Sequence, residues 1–424
     1  MLLIDEEKFH NQFNKISKDN QRDNIRVYGE VFTPEYLINE MLDKLPKKLW
    51  NDKSLKWFDF ACGIGSFGFY IYKRLMIGLS DDIINEEQRS RYIIENMLYF
   101  NELQDKNIEL LKQIFMSNKY KLNIYSCDFL NFNSDIKFDV IVSNPPYNIS
   151  SQRAHGHTLW AKFVYKGVQF LNSGGYALFI HPSGWRKCKT NNTKNTFIYE
   201  VITRNMQMLY LELHNQRDGK KTFKCGTRYD WYLLKNVECY KKTVVKDENG
   251  KMWKIDLRKW DFIPNHSYDL IYEILSTSSN DKCRILYGNN CNAQSSYVSD
   301  KKDDVHKYTL IHTTTKNGPR YKYSSRNDIG FFGVKKVIWG DSGVNEPVID
   351  INGEYGITNH SMAIQVSDMK EALKVKRCLM SDIFKQINSA CMYSNYQLEW
   401  RIFLYFTKKL WDIIDNKILI NEEN

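Results

Sequence analysis

The chain is expected to fold as an α/β protein: a doubly wound, mostly parallel Rossmann-like sheet with a second, mixed α+β domain. Three observations lead there. Apolar strand patterns alternate with helical ones over the first half, a glycine-rich loop follows the first strand directly, and after about Lys241 short aromatic-rich strands alternate with turns. At 424 residues the chain is also too long for one ordinary core. The expected divisions are an N-terminal arm at 1–21, a first domain at 22–240 and a second at 241–424.

Taken in order, Thr33 is read as an N-cap and Pro34 as a first-turn residue, ahead of an apolar stripe of Leu37, Ile38, Met41 and Leu42. Trp57 to Phe60 is a strand that ends in ACGIGSFG, and a helix from Phe67 to Leu75 follows. A further helix lies around Arg91 to Leu98, then a strand at Met97 to Asn101 and a helix at Asp105 to Phe115. Asn123 to Ser126 and Phe138 to Val142 are the third and fourth strands; a helix at 158–171 leads to a fifth at Tyr176 to Ile180. Such alternation requires crossovers between parallel strands. Met208 to Leu213 and Tyr229 to Leu234 are expected to pair antiparallel and close the sheet. Beyond Lys241, turns such as Asp247 to Gly250, Asn317-Gly318-Pro319 and Asn352-Gly353 separate short strands. A helical tail from Asp368 to Ile420 breaks near Tyr393 to Tyr396.

Composition narrows the partners. Hydrophobic residues make up 42% and aromatics 14%, which excludes general disorder. No apolar run reaches membrane-spanning length, and MLLIDEEKFH lacks the basic flank of a signal peptide. Nine cysteines without a CxxC pair speak against a disulfide framework and a zinc site, so a cytoplasmic, metal-free protein is expected. The net charge of +10 is unevenly spread: residues 151–240 hold 14 basic and 5 acidic side chains. A polyanion is the natural partner of such a stretch; a solvated lysine-rich surface is the plain alternative.

Gly63, Gly65 and Gly68 spell GxGxxG between a strand and a helix, where glycine lets the backbone approach a ligand. Alone this suits a dinucleotide, S-adenosylmethionine (SAM) or a plain structural turn. Glu102 ends the second strand, 37 residues after Gly65, and can accept both ribose hydroxyls. Asp128 can accept an adenine amino hydrogen, and Phe129 can cover the adenine face. The loop holds no basic residue for a pyrophosphate, which suits SAM, a sulfonium cation without phosphates.

The fourth strand runs into Asn144-Pro145-Pro146-Tyr147. Two prolines stiffen this turn and remove two N–H donors, leaving it rich in carbonyls. The Asn144 side-chain oxygen and the Pro145 carbonyl can then both accept from one exocyclic amine, favouring a pyramidal, nucleophilic nitrogen. Tyr147 offers a flat face to a base turned out of a duplex. An ordinary turn with the same letters is the rival reading, and its position at a strand end beside the glycine-rich strand weighs against it.

In this order the motifs resemble the γ-class DNA adenine-N6 methyltransferases of restriction–modification and related systems, over roughly residues 28–240. Thr33-Pro34 looks like the family's most N-terminal motif, which packs by the methionine part of SAM. The loop with Asp59, Ala61, Gly63 and Gly65 looks like its main SAM loop, although Cys62 stands where Pro or Ala is usual. Glu102, Asp128 and Phe129 match the ribose and adenine contacts, Asn144 to Tyr147 the catalytic loop, and GGYALFIHPSGWR at 174–186 a later strand and loop. The resemblance implies site-specific methylation of adenine N6 in double-stranded DNA by direct displacement on a flipped base, without a metal. It also implies a target-recognition domain after about 240. A separate restriction endonuclease is an allowed partner, and monomer and dimer both stay open.

Rival readings are an amino-group methyltransferase acting on RNA or on a protein glutamine, and one acting on cytosine N4 of DNA. A dinucleotide-dependent oxidoreductase would leave the NPPY turn unexplained, and a non-catalytic nucleic-acid binder would have no use for it. Arg186, Lys187, Lys189, Lys221, Lys224 and Arg228 are the candidate DNA contacts. His155 and His157 read as solvated loop residues, while Trp185 could stack on a base or pack the loop. In the second domain, Arg320, Lys322, Arg326 and Trp339 are candidate DNA readers, whereas Tyr393, Tyr396 and Trp400 read as packing.

Overall fold

The structure is a computed structural model that describes residues 4, 7, 9, 32–147, 159–187, 194–288, 290–341, 343, 345–393 and 400–423. The chain divides into two compact units. The first is Met1–Trp185 with Lys189–Trp260, and the second is Arg186–Cys188 with Asp261–Asn424.

The first unit is built on a sheet of nine strands. These are β1 (Trp57–Asp59), β2 (Leu98–Glu102), β3 (Asn123–Ser126), β4 (Phe138–Ser143), β5 (Leu171–Pro182), β6 (Gln207–His214), β7 (Tyr229–Lys235), β8 (Thr243–Lys246) and β9 (Met252–Ile255). Their order is β3-β2-β1-β4-β5-β7-β6-β8-β9. The first five pair in parallel, β7 runs antiparallel to both β5 and β6, and β8 returns parallel to β6. This is the doubly wound arrangement expected. Its strand order reverses between β1 and β4, and such a switch point opens a crevice at the carboxyl ends of the strands.

Both faces of the sheet are covered, as alternation along β1 requires. Trp57 goes to one face, stacked on Trp50 at 4.7 Å; Phe58 goes to the other, stacked on Phe138 at 4.2 Å. On the Trp57 face lie α1 (Glu35–Leu42) and α2 (Ser66–Gly78), whose apolar stripes join one core. Next come α3 (Glu86–Tyr92), a wide π-type turn at Ile93–Met97, and α4 (Asp105–Ile114). The helix α5 (Leu159–Gln169) covers the Phe58 face, with Phe163 against Phe60 and Phe129. After it come α6 (Lys194–Thr203) and α7 (Gln216–Phe223).

Two expectations change. The β6–β7 pair does not close the sheet, because β8 and β9 continue it beyond β6. The boundary consequently moves from 240 to Trp260. Gln207 Oε1 accepts the Tyr240 and Lys241 amides at 2.9 and 2.8 Å, and Tyr199 Oη donates to the Trp260 carbonyl at 2.9 Å, so this stretch is held by the first unit.

The second unit is mixed, as expected. After α8 (Tyr268–Glu273) it carries β10 (Leu286–Tyr287), β11 (Val298–Ser299), β12 (Tyr308–Thr315), β13 (Gly318–Ser324), β14 (Lys336–Gly340), β15 (Val348–Asp350), β16 (Gly356–Ile357) and β17 (Ser361–Gln365). They form two four-stranded sheets, β10-β17-β14-β15 and β11-β13-β12-β16. The tail holds α9 (Met369–Met380), α10 (Asp382–Ala390) and α11 (Leu410–Glu423). Among the described residues no helix is long and apolar enough to cross a membrane.

Candidate active site

A cavity of about 350 Å³ opens at the carboxyl ends of β1 to β4, where the switch point lies. Of the residues singled out from the sequence, Thr33, Asp59, Ala61, Gly63, Glu102, Asp128, Phe129, Asn144 and Pro146 line it. Pro34, Gly65, Pro145 and Tyr147 are not among the lining residues.

Two glycines shape the loop and the helix that follows it. Gly65 stands at φ +86°, a left-handed conformation that a side chain resists, and from there the chain turns into α2. Gly68, one turn on, lets α2 lie against β2: a Cβ there would run into the Phe100 ring, 2.7 Å from Cζ.

Each strand end delivers a carboxylate or an amide. Glu102 closes β2 and reaches back across the loop, accepting from the Gly63 amide at 2.9 Å and from its own turn, at Gln104, at 2.9 Å. Asp128 caps the short turn after β3 by accepting the Leu130 amide at 2.9 Å. Asp59, at the end of β1, is buried; one of its oxygens accepts from Ser143 Oγ at 2.9 Å and from the Ala61 amide at 3.2 Å. Burial pushes the Asp59 carboxyl up to about 7, with neighbouring Glu102 adding to the rise and the two hydrogen bonds opposing it.

The NPPY turn departs from expectation at two points. Thr33 does not cap α1: Pro34 occupies the N-cap position, and Thr33 Oγ1 instead accepts from Asn144 Nδ2 at 3.0 Å. Tyr147 is buried, edge-on to Phe223 at 6.4 Å, and burial holds its hydroxyl pKa well above the usual tyrosine range. Phe129 lines the cavity but is itself stacked on Phe60 at 4.6 Å, within the aromatic layer under the sheet.

Sequence reasoning missed Ser143 and Asn101. Asn101 donates to the Phe60 and Cys127 carbonyls at 3.1 and 3.2 Å and accepts from the Cys127 thiol at 3.1 Å, tying three strand ends together. The available signal was a polar residue closing an otherwise apolar strand, since a buried polar group there needs partners. Phe60, Phe163 and Leu159 add an apolar wall that no motif marks.

The candidate DNA contacts separate. Arg186 is fully buried and spent on its own unit: its guanidinium donates to the Ile263 carbonyl and to Asn265 Oδ1, each at 3.0 Å, and lies over Tyr393. That corrects its reading as a phosphate contact. Arg228 is paired with Glu248, both largely buried, which neutralises it as well. Lys187 is half-buried, whereas Lys221 and Lys224 are exposed. Lys189, His155, His157 and Tyr396 lie outside the described residues. Trp185 is buried against Tyr199 and Tyr232, a packing role. Trp339 is buried too, and Trp400 stacks on Tyr287 at 5.0 Å.

Comparison with known proteins finds a likeness of fold and a partial family match. Among solved structures, the Type IIL restriction-modification enzyme MmeI in complex with DNA is 12% identical, with 90% of this chain and 68% of that chain covered and a TM-score of 0.57, a likeness of fold. The type IIG restriction endonuclease BpuSI is 9% identical over 92% of this chain and 61% of that one, with a TM-score of 0.43. The type I restriction enzyme EcoKI M protein is 15% identical over 52% and 48%, with a TM-score of 0.41. The chain thus spans about half the length of the type I proteins it matches. No curated protein matches it. The family model described as Eco57I restriction-modification methylase matches residues 61–216, from the glycine-rich loop through the NPPY turn to the start of α7. Over residues 61–216, a little over a third of its length, this chain is similar to the Eco57I restriction-modification methylase family.

Proposed function

We propose that the chain is a site-specific DNA methyltransferase that moves the methyl group of SAM to N6 of an adenine turned out of the duplex. Residues 261–424 serve target recognition in this reading, which also allows a separate restriction endonuclease as a partner. One observation carries it: Asn144 and Pro146 line the same cavity as Asp59, Gly63, Glu102 and Asp128.

The lining fits SAM. Among the described residues it holds three carboxylates, no lysine, arginine or histidine, and a wall of phenylalanines, which suits an adenosine carrying a cation and no phosphate. When bound, SAM supplies an electrophilic methyl group. The chain supplies placement. Glu102 and Asp128 are held by backbone amides in the orientation that accepts hydroxyl and amino hydrogens. Thr33 takes a hydrogen from Asn144 Nδ2, so the carboxamide presents its oxygen elsewhere. Together with the Pro145 carbonyl, that oxygen draws on the amine hydrogens. Such acceptors gain most as the nitrogen pyramidalises and becomes positive, which is where stabilisation speeds the reaction.

The test is methyl transfer from labelled SAM to unmethylated genomic DNA, with RNA and protein in parallel and the product bases resolved. N6-methyladenine from DNA is expected. Asn144→Ala should remove turnover and keep SAM binding. Thr33→Val should lower kcat about tenfold or more with a smaller loss of SAM affinity, and Thr33→Ser should restore it. Label in RNA, in protein or on cytosine, or near-normal turnover by Asn144→Ala, would sink the proposal.

A further inference from the structure

Helix α7 and the residue that ends it carry Arg217, Lys220, Lys221 and Lys224, and all four are exposed. The spacing i, i+3, i+4 puts the first three on one helical face, and Lys224 follows at the left-handed C-cap. The opposite side is buried through Gly219 and Phe223. Two nearby acids have other partners, although Lys221 also acts on the Asp218 carboxylate. Asp218 closes a capping box, its Oδ2 accepting the Asn215 amide at 3.0 Å, and Glu248 holds Arg228. Among the described residues none of the four cations has an ion-pair partner.

Packing ties this stripe to the NPPY turn. Phe223 meets Tyr147 edge-on at 6.4 Å and Tyr229 at 4.9 Å. On the same helix, Thr222 shares hydrogen bonds with Tyr36 at 2.9 Å and Tyr229 at 3.2 Å, so α1 and β7 both brace it. A row of exposed cations without an ion-pair partner within 4 Å among the described residues therefore stands beside the turn that carries Asn144.

We infer that α7 is a backbone clamp: Arg217, Lys220, Lys221 and Lys224 contact phosphates of the DNA flanking the target base. The clamp rests on the function proposed above. Its simplest rival is structural, since cations in the last turn also complement the helix dipole.

The experiment uses the full chain and a fluorescent duplex of about 30 base pairs, with binding measured by anisotropy over a salt series. A variant with Arg217, Lys220, Lys221 and Lys224 all changed to Gln is compared with the wild type. Each phosphate contact contributes about 0.9 to the slope of log Kd against log salt, so the slope should fall by about 2–4. At about 0.15 M salt, Kd and the KM for DNA should rise at least about tenfold, more than kcat falls. Changing the three lysines to Arg should keep the wild-type slope. An unchanged slope and KM would overturn the clamp, and a lowered melting temperature with the slope intact would assign the stripe to helix stability instead. The two proposals fail separately. A wild type that methylates no DNA, with the variant's slope still falling as expected, removes the function and keeps the clamp. One that methylates DNA while the variant's slope stays put removes the clamp alone.

Discussion

Asp59 is the residue whose surroundings have the clearest consequence. Its carboxyl, near 3.8 when exposed, is pushed by burial to about 7 in the cavity. The raised value means folding favours the neutral acid. That contribution to stability is fully present below about pH 4 and is lost as pH rises through about 7. A cation in the cavity reverses the preference by favouring the carboxylate. SAM affinity should accordingly rise with pH up to about 7 and then level, while Asp59→Asn should bind with a flatter profile. Titration calorimetry from about pH 5.5 to 8 checks this, and parallel profiles for the two proteins would rule it out. At this scale the sequence was most readable. Glu102, Asp128 and Asn144 all close or follow strands, and all line the cavity. What it could not show was which atoms they would use. Thr33 looked like a helix cap because a hydroxyl before Pro34 usually is one; its partner, Asn144, lies 111 positions away.

At the scale of elements, α2 and β2 depend on glycine for their closeness. A Cβ at Gly68 would meet the buried Phe100 ring, so Gly68→Ala should cost about 1–3 kcal/mol and weaken SAM binding as the start of α2 shifts. Gly184 has nothing within 4 Å and an ordinary φ, so Gly184→Ala should leave stability nearly unchanged. Urea unfolding of both variants tests the contrast. The elements themselves were legible because each has a strong local period, as in FDVIVS for β4 or the Leu37, Ile38, Met41, Leu42 stripe for α1. The cap, by contrast, depended on where the Thr33 side chain found a partner, which period does not encode. Arg217 escaped notice for a related reason: only with α7 in view does it align with Lys220 and Lys221.

For the whole molecule, the first unit extends to Trp260 because β8 and β9 complete the sheet. A fragment ending at 240 would expose the β6 edge, with Leu211 buried on that strand, and would strip the bonds that Gln207 makes to Tyr240 and Lys241. Such an edge invites pairing with other chains. The 1–240 fragment should melt several degrees lower and aggregate more than the 1–260 fragment. Both lose the second unit, so the difference isolates β8 and β9. Equal melting temperatures in scanning calorimetry would remove the argument.

By itself the sequence determined the fold class, the strand-to-helix order and most of the polar residues that line the cavity, because period, glycine spacing and the NPPY turn act over a few neighbouring residues. Tertiary structure alone decided which charges remain available. Arg186 and Arg228 belong to the same basic stretch as Lys221 and Lys224, yet the first is buried against Ile263 and Asn265 and the second is neutralised by Glu248. A cation's role depends on whether folding brings it an acceptor, and those acceptors lie 20 to 79 positions along the chain.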